Sequence, residues 1–196
     1  ELITRYHVGG VILFARNISE PLQAWELLRS FKSRGLLRAV DHEGGRVQRL
    51  PAPVTHFPPA LNIGNTGSEK LAYEAGFAQA RELAAVGFNL NFAPVLDIHT
   101  NPVNRVIGDR AFGTDPNTVA RLGCATIKGM QAAGIATCGK HFPGHGDTRD
   151  DSHEVLPRVR STVPSLKSRE LVPFGAAIHA GVDAMMTAHV VYEGLD

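Results

Sequence analysis

Residues 36–43 have the sequence Leu-Leu-Arg-Ala-Val-Asp-His-Glu, in which a short apolar run ends directly in charged and reactive side chains. Four other short apolar runs, at residues 10–14, 90–96, 135–138 and 182–186, are each followed within three residues by a charged or reactive side chain. Near-continuous apolar runs of this length are typical of parallel strands that are covered on both faces. The sequence therefore predicts five buried strands in one parallel sheet.

Helical patterns with recognisable ends lie between these strands. The predicted N-caps are Ser19, Ser68 and Asp115, and Asp115 is followed by a first-turn proline. The predicted helices, each bounded by its cap and a terminal glycine, cover residues 19–35, 68–87 and 115–134, with a fourth through Phe174 and Ile178 to Gly181. Strands that alternate with helices predict a parallel α/β sheet.

Polar side chains after every strand decide between two α/β folds. They are Arg16-Asn17, Asp41-His42-Glu43, Asp97, Lys140-His141 and His189. A doubly wound sheet instead concentrates its ligand groups at one switch point. We therefore predict a (β/α)8 TIM barrel whose site lies at the carboxyl ends of the strands. Such a barrel takes about 250 residues, so we interpret residues 1–196 as a single catalytic barrel domain truncated at both ends, without its first strand and its last strands.

Composition excludes several classes of protein. The 196 residues carry 20 Lys+Arg and 19 Asp+Glu, so we expect no surface that binds nucleic acid. The longest apolar runs fall far short of the roughly 18 residues that a membrane span needs. The two cysteines, Cys124 and Cys138, exclude a disulfide scaffold and suit a reducing compartment.

The segment with the strongest chemical signal is residues 140–153, Lys-His-Phe-Pro-Gly-His-Gly-Asp-Thr-Arg-Asp-Asp-Ser-His. Lys140 and His141 directly follow a buried strand, where a charged pair is costly without a partner or a ligand. A turn can bring the carboxylate of Asp151 to one ring nitrogen of His153 and make that imidazole a general acid/base. A solvated polar loop is the alternative interpretation.

Neither a metal site nor a serine nucleophile is expected in this segment. His141 and His145 are four residues apart, but Pro143 and Gly144 prevent the helix that such a metal-binding pair needs. Ser152 lacks the Gly-x-Ser-x-Gly sequence of a nucleophile elbow.

Two further segments carry candidate ligand groups. Asp41 lies where a strand ends, and its carboxylate could accept hydrogen bonds from two sugar hydroxyls. Arg46 and Arg49 could pair with a carboxylate ligand or form a structural ion pair with Glu43. Residues 104–113 either contribute to the site or form a surface turn with salt bridges.

Four motifs together resemble those of glycoside hydrolase family 3. They are Asp-His-Glu-Gly-Gly-Arg-Val-Gln-Arg at residues 41–49, Asn-Leu-Asn-Phe-Ala-Pro-Val-Leu-Asp at 89–97, Arg-Ala-Phe-Gly at 110–113, and Lys-His-Phe-Pro-Gly-His-Gly-Asp with a downstream Asp-Ser-His at 140–153. Within the family, the pattern is similar to that of the single-domain bacterial β-N-acetylglucosaminidases of cell-wall recycling. The broad β-glucosidases of the family share the Lys-His but lack the Asp-Ser-His loop.

The resemblance implies a retaining glycoside hydrolase that works without metal or cofactor. His153 would be the acid/base, paired with Asp151. The residues that would hold the hydroxyls and the N-acetyl group of the sugar are Asp41, Arg49, Arg110, Lys140 and His141. The family's nucleophile is an Asp after a later strand, which by this match lies beyond Asp196, so residues 1–196 alone are expected to be inactive. Asp97 is expected to be structural.

The substrate that the resemblance implies is a non-reducing terminal N-acetylglucosamine on a peptidoglycan-derived muropeptide of the GlcNAc-anhydroMurNAc type. The complete protein would be a cytoplasmic monomer that binds neither nucleic acid nor membrane. Two alternatives stay open. One is another family 3 glycosidase, such as a β-glucosidase or a glycoside phosphorylase, and the other is a sugar-binding homologue without catalysis.

Overall fold

Seven strands are present in the computed structural model, which describes residues 2–31, 35–149 and 156–195. In chain order they are β1 (Gly10–Leu13), β2 (Leu37–Val40), β3 (Leu90–Asn91), β4 (Ala136–Phe142), β5 (Arg158–Val159), β6 (Ala184–Thr187) and β7 (Val191–Tyr192). Five of them form a sheet in the order β1-β2-β3-β4-β6, and every neighbouring pair is parallel. This order confirms the predicted parallel α/β fold, with consecutive strands side by side as in a TIM barrel.

Helices connect the strands and pack against one another beside the sheet. They are α1 (Leu2–Tyr6), α2 (Pro21–Ser30), α3 (Ala60–Thr66), α4 (Glu69–Val86), α5 (Pro116–Ala132), α6 (Val163–Ser168) and α7 (Leu171–His179). The most extensive helix–helix packing is between α4 and α5, and α5 also packs against α7. Within the described ranges, no helix has both the length and the apolar character that crossing a membrane requires.

Two of the three predicted helix N-caps are confirmed. The Ser68 hydroxyl accepts a hydrogen bond from the Leu71 amide at 3.2 Å, and the Asp115 carboxylate accepts one from the Thr118 amide at 2.7 Å. Such bonds satisfy amide groups that the first turn of a helix leaves without partners. Both helices therefore begin where the sequence indicated.

The prediction that Ser19 caps α2 is wrong. The helix begins at Pro21, because proline favours the first helical position, where its missing N–H costs nothing. The Ser19 amide instead donates to Oε1 of Gln23 at 3.1 Å. The predicted end of this helix at Gly35 is also displaced, since α2 ends at Ser30; residues 32–34 lie outside the described residues.

The predicted strand at residues 90–96 is regular only over its first two residues. Pro94 has no N–H to contribute to a ladder, and the regular pairing ends before it. The chain nevertheless stays beside β4, where the Cys138 amide donates to the Ala93 carbonyl at 3.0 Å. Strand β4 continues beyond its predicted end at residue 138, so Lys140 and His141 belong to the strand itself.

The backbones of α4 and α5 approach so closely that only glycine fits at the contact. A Cβ on Gly129 would lie 2.2 Å from the Tyr73 carbonyl oxygen, and one on Gly76 would lie 2.7 Å from the Thr126 carbonyl oxygen. One core cluster beside this contact includes the buried residues Leu28, Val40, Leu83, Phe88 and Met130. This packing fixes the strand ends that carry the candidate site.

Replacement of Gly129 by Ala should destabilise the full-length protein by about 1–3 kcal/mol, the usual cost of overpacking. The matched control is Gly175→Ala in α7, where a Cβ would meet nothing within 4 Å. There alanine should stabilise the protein by roughly 0.5–1 kcal/mol through helix propensity. Urea unfolding of both variants provides the test. Equal shifts of the two midpoints would contradict the proposed close contact.

Candidate active site

Lys140 is a buried basic residue near the end of β4. Its side chain is 2% exposed, and its Nζ lies 2.6 Å from Oδ1 of Asp41 and 2.7 Å from Oε1 of Glu43. A buried ammonium group is costly unless carboxylates compensate it. Asp41 and Glu43 follow β2, and β2 and β4 both border β3, so the parallel topology brings these three charges to one edge of the sheet.

A second cation, Arg110, is held by the same carboxylate. Its Nε and Nη2 donate to the two oxygens of Glu43, each at 2.8 Å, and its Nη1 donates to the Val106 carbonyl at 2.9 Å. Burial alone would raise the pKa of Glu43. The charges and hydrogen bonds of Lys140 and Arg110 outweigh burial and lower this pKa to about 2. Glu43 is therefore ionised and occupied by two cations.

Asp97 organises the turn after β4. It is fully buried, and its carboxylate accepts hydrogen bonds from Nδ1 of His141 at 2.6 Å and from the amide of His145 at 2.6 Å. Burial would raise the pKa of Asp97, but these partners outweigh it and lower the pKa. Nε2, the other ring nitrogen of His141, lies 3.4 Å from Nη2 of Arg110.

The five side chains of Asp41, Glu43, Arg110, Lys140 and His141 form one cluster. Three of them reach solvent and two do not. The side chains of Asp41 and His141 are 18% and 16% exposed, and that of Arg110 is 12% exposed. Lys140 and Glu43 lie beneath them. Lys140 has three N–H donors, and Asp41 and Glu43 take two of them. The arrangement offers a charged acceptor and several donors to a polar ligand.

Four of the five side chains with an expected sugar-binding role meet in this cluster: Asp41, Arg110, Lys140 and His141. The fifth is Arg49, whose described hydrogen bonds do not include these four side chains. Its amide donates to Nδ1 of His42 at 3.3 Å, and its Nε is buried without a hydrogen-bond partner among the described residues. The expected acid/base residues Asp151 and His153 lie outside the described residues.

An ion pair of Arg46 or Arg49 with Glu43, one of the two alternatives that the sequence left open, does not occur among the described residues. Arg110 and Lys140 are the partners of Glu43, and Nε of Arg46 binds Asp109 at 3.0 Å. Arg46 also donates through Nη2 to the carbonyls of residues 105–107. Its contacts therefore support the loop that carries Arg110.

The polar residues after β1 and β6 take no part in this hydrogen-bonded cluster within the described ranges. The Arg16 guanidinium lies 4.5 Å from the centroid of the Phe14 ring. Oδ1 of Asn17 accepts from the Phe14 amide at 3.0 Å. His189 is exposed at the end of β6. The candidate site is thus built from β2, β4 and the loop after β3.

Three residues of the site carry roles that the sequence did not reveal. Glu43 bridges the two cations, and Asn104 is only 2% exposed. Residues 104–113 form salt bridges, as the surface-turn interpretation expected, and through Arg110 they also contribute to the candidate site. His42 is buried, and burial together with the Arg49 and His56 charges lowers its pKa to about 4. The periodic pattern shows where a strand ends, but it does not show which loop residue folds inward.

No group of three or more His, Cys, Asp or Glu side chains with the arrangement of a metal site occurs in the part of the chain that the structure describes. The ring of His141 is oriented by Asp97 and faces Arg110. The described side chains therefore form a network of ion pairs and hydrogen bonds.

The model of the glycosyl hydrolase family 3 N-terminal domain matches residues 1–196. A beta-hexosaminidase of Thiobacillus denitrificans is 46% identical over 198 residues, covering 96% of this chain and 55% of the relative. A beta-hexosaminidase of Methylococcus capsulatus is 43% identical over 201 residues, covering 100% of this chain and 60% of the relative. The chain thus spans less than two thirds of these relatives.

Solved structures share the fold closely. A glycoside hydrolase family 3 beta-N-acetylglucosaminidase from Paenibacillus sp. str. FPU-7 superposes with a TM-score of 0.96 at 47% identity, covering 100% of this chain and 38% of that chain. NagZ from Neisseria gonorrhoeae, in complex with N-trifluoroacetyl-D-glucosamine, gives a TM-score of 0.91 at 41% identity, covering 96% of this chain and 58% of that chain.

Replacement of Glu43 by Gln should lower the free energy of unfolding at neutral pH by roughly 2–4 kcal/mol, from the shift of its pKa to about 2. A depressed carboxyl pKa contributes stability above the unfolded-state value and loses it as pH falls. The difference between wild type and variant should therefore shrink between about pH 4.5 and 2.

The measurement is the unfolding free energy of both proteins across this pH range. Glu69→Gln is the matched control, because Glu69 is more than half exposed in its pair with Arg121 and such pairs contribute little. A wild-type to Glu43→Gln difference that stays constant from pH 5 to pH 2 would contradict the ionised, ion-paired Glu43.

Proposed function

This chain belongs to glycosyl hydrolase family 3, and from that premise we propose that the protein is a retaining exo-β-N-acetylglucosaminidase. Its proposed substrate is a muropeptide of the GlcNAc-anhydroMurNAc type, from which it removes the non-reducing terminal N-acetylglucosamine. The observation that carries the proposal is the cluster of Asp41, Arg110, Lys140 and His141 at the carboxyl ends of parallel strands, where barrel enzymes bind substrate. Relatives named beta-hexosaminidase support the choice of an N-acetylated sugar.

The cluster has the chemistry that a pyranose ring requires. Asp41 offers carboxylate oxygens to sugar hydroxyls, and the remaining N–H of Lys140 can donate to a hydroxyl beside them. Hydrogen bonds to charged groups each contribute about 1.5–3 kcal/mol. Arg110 and His141 provide the polar groups for the N-acetyl substituent. The structure of NagZ from Neisseria gonorrhoeae holds N-trifluoroacetyl-D-glucosamine, which supports an N-acylated glucosamine as the kind of ligand.

The proposed reaction proceeds in two displacements. In the first, His153 gives its proton to the glycosidic oxygen while a carboxylate attacks the anomeric carbon from the opposite face, which forms a covalent glycosyl-enzyme and releases the aglycone. In the second, water attacks the same carbon, and His153 takes back a proton as the sugar leaves. Asp151 is proposed to orient and polarise the imidazole.

The nucleophile of this reaction is proposed to be an Asp outside residues 1–196. Asp97 is unsuited to attack a sugar, because it is fully buried and its carboxylate is already bonded to His141 and His145. Asp41 forms an ion pair with Lys140, and its proposed role is to bind sugar hydroxyls. A cytoplasmic, monomeric enzyme remains part of the proposal, and the two free cysteines suit a reducing compartment.

The full-length protein should hydrolyse a chromogenic β-N-acetylglucosaminide with a kcat/KM about 100-fold or more above that for the β-glucoside, since a site built for an amide discriminates against a substrate that lacks it. Added phosphate should not change the rate. Preference for the glucoside would indicate a β-glucosidase, and phosphate-dependent release would indicate a phosphorylase. Sugar binding without turnover would indicate a non-catalytic homologue.

Replacement of His153 by Ala should lower kcat by about 10²–10⁴-fold on substrates with poor leaving groups, the usual contribution of a positioned acid/base. An activated aryl leaving group needs little protonation, so formation of the glycosyl-enzyme from it should suffer less. His179→Ala, at the end of α7, is the matched control and should keep wild-type rates. Equal losses on poor and activated substrates would show that His153 is not the acid.

A further inference from the structure

The side chain of Asn104 joins two loops of the candidate site. It is 2% exposed, and its Oδ1 accepts a hydrogen bond from the Ile107 amide at 3.0 Å. Its Nδ2 donates to the His145 carbonyl at 2.7 Å and to the Thr148 hydroxyl at 3.1 Å. Three of the four hydrogen bonds that a buried amide can make are therefore used to connect the loop after β3 to the turn after β4.

On the first side of this bridge, Ile107 lies three residues before Arg110 and supports it. The Ile107 side chain is fully buried, and its carbonyl accepts a hydrogen bond from the Arg110 amide at 2.9 Å. The neighbouring Val106 carbonyl accepts from Nη1 of Arg110 at 2.9 Å. Displacement of this turn would move the guanidinium that holds Glu43.

On the second side, Asn104 fixes residues 145–148. The Thr148 hydroxyl is fully buried and lies 3.0 Å from Nδ1 of His145, and the His145 amide donates to Asp97 at 2.6 Å. The chain is pressed against the loop after β3 here, since a Cβ on Gly146 would lie 1.7 Å from the Ile98 carbonyl oxygen. Residue 148 is only three positions before Asp151 in the sequence.

We propose that Asn104 is a positioning residue that couples two parts of the site. It is connected to the sugar-binding part, called the sugar-binding arm, through Ile107 and Arg110. It is connected to the acid/base part, called the acid/base arm, through His145 and Thr148. This assignment rests on the proposed function of Asp151 and His153. An apolar side chain of the same size would fill the space, but it would leave a carbonyl, an amide and a hydroxyl buried without this partner. The amide of Asn104 satisfies all three at once.

Two variants of the full-length protein separate the arms. Asn104→Ala removes both connections, so it should lower kcat on a substrate with a poor leaving group by about 10–100-fold and raise KM severalfold. Thr148→Val removes only the acid/base connection, so it should lower kcat on that substrate about tenfold and leave KM unchanged. Both variants should lose less on an activated aryl N-acetylglucosaminide.

Assays are made well below each variant's melting temperature, with exposed Asn65→Ala as the control for a lost amide. If Asn104→Ala does not fold, Thr148→Val alone decides the acid/base arm. The assignment of Asn104 would be overturned if kcat and KM of its variant were unchanged. It would also be overturned if the variant lost activity equally on poor and activated substrates while His153→Ala still discriminated between them. A wild-type enzyme without turnover, or a His153→Ala variant without this discrimination, would overturn the proposed function and the assignment with it.

Discussion

One buried positive charge determines how the candidate site is built. The Lys140 ammonium group lies at the end of β4 with almost no access to water, so it must be compensated by carboxylates. Asp41 and Glu43 provide them from the end of β2. Glu43 has two oxygens, and it also binds Arg110 from a loop 67 residues away in the sequence. The parallel sheet and the loop after β3 are thereby tied together through a single glutamate.

Asp97 is the second buried charge on which the site depends. It holds its neighbours through hydrogen bonds rather than through ion pairs with Lys or Arg. It sets the ring of His141 and the amide of His145, so that the turn after β4 is shaped by a residue that follows β3. Asn104 continues this connection to Thr148. Polar groups that follow β2 and β3 and those of β4 are therefore connected in one network of ion pairs and hydrogen bonds.

Sequence periodicity was sufficient for the sheet and for the strand-end residues, because burial and alternation with helices are local signals. Asp41, Lys140 and His141 were predicted on that basis. The pairing of Glu43 with Arg110 was not predictable, since the charge of an arginine is visible in the sequence but the path of its loop is not. The burial of Asn104 could not be predicted for the same reason, because a polar residue in a polar segment gives no sign that it is buried. The shortened β3 and the displaced start of α2 both reflect prolines, at residues 94 and 21.

The central claim is that the charge cluster at the ends of β2 and β4 is the binding site for the terminal sugar. A crystal structure of the full-length protein with bound N-acetylglucosamine tests it most directly. The account predicts that the sugar hydroxyls lie within hydrogen-bond distance of the Asp41 carboxylate and of Nζ of Lys140, with Arg110 and His141 beside the N-acetyl group. A sugar bound elsewhere, while these four side chains contact only one another, would contradict it.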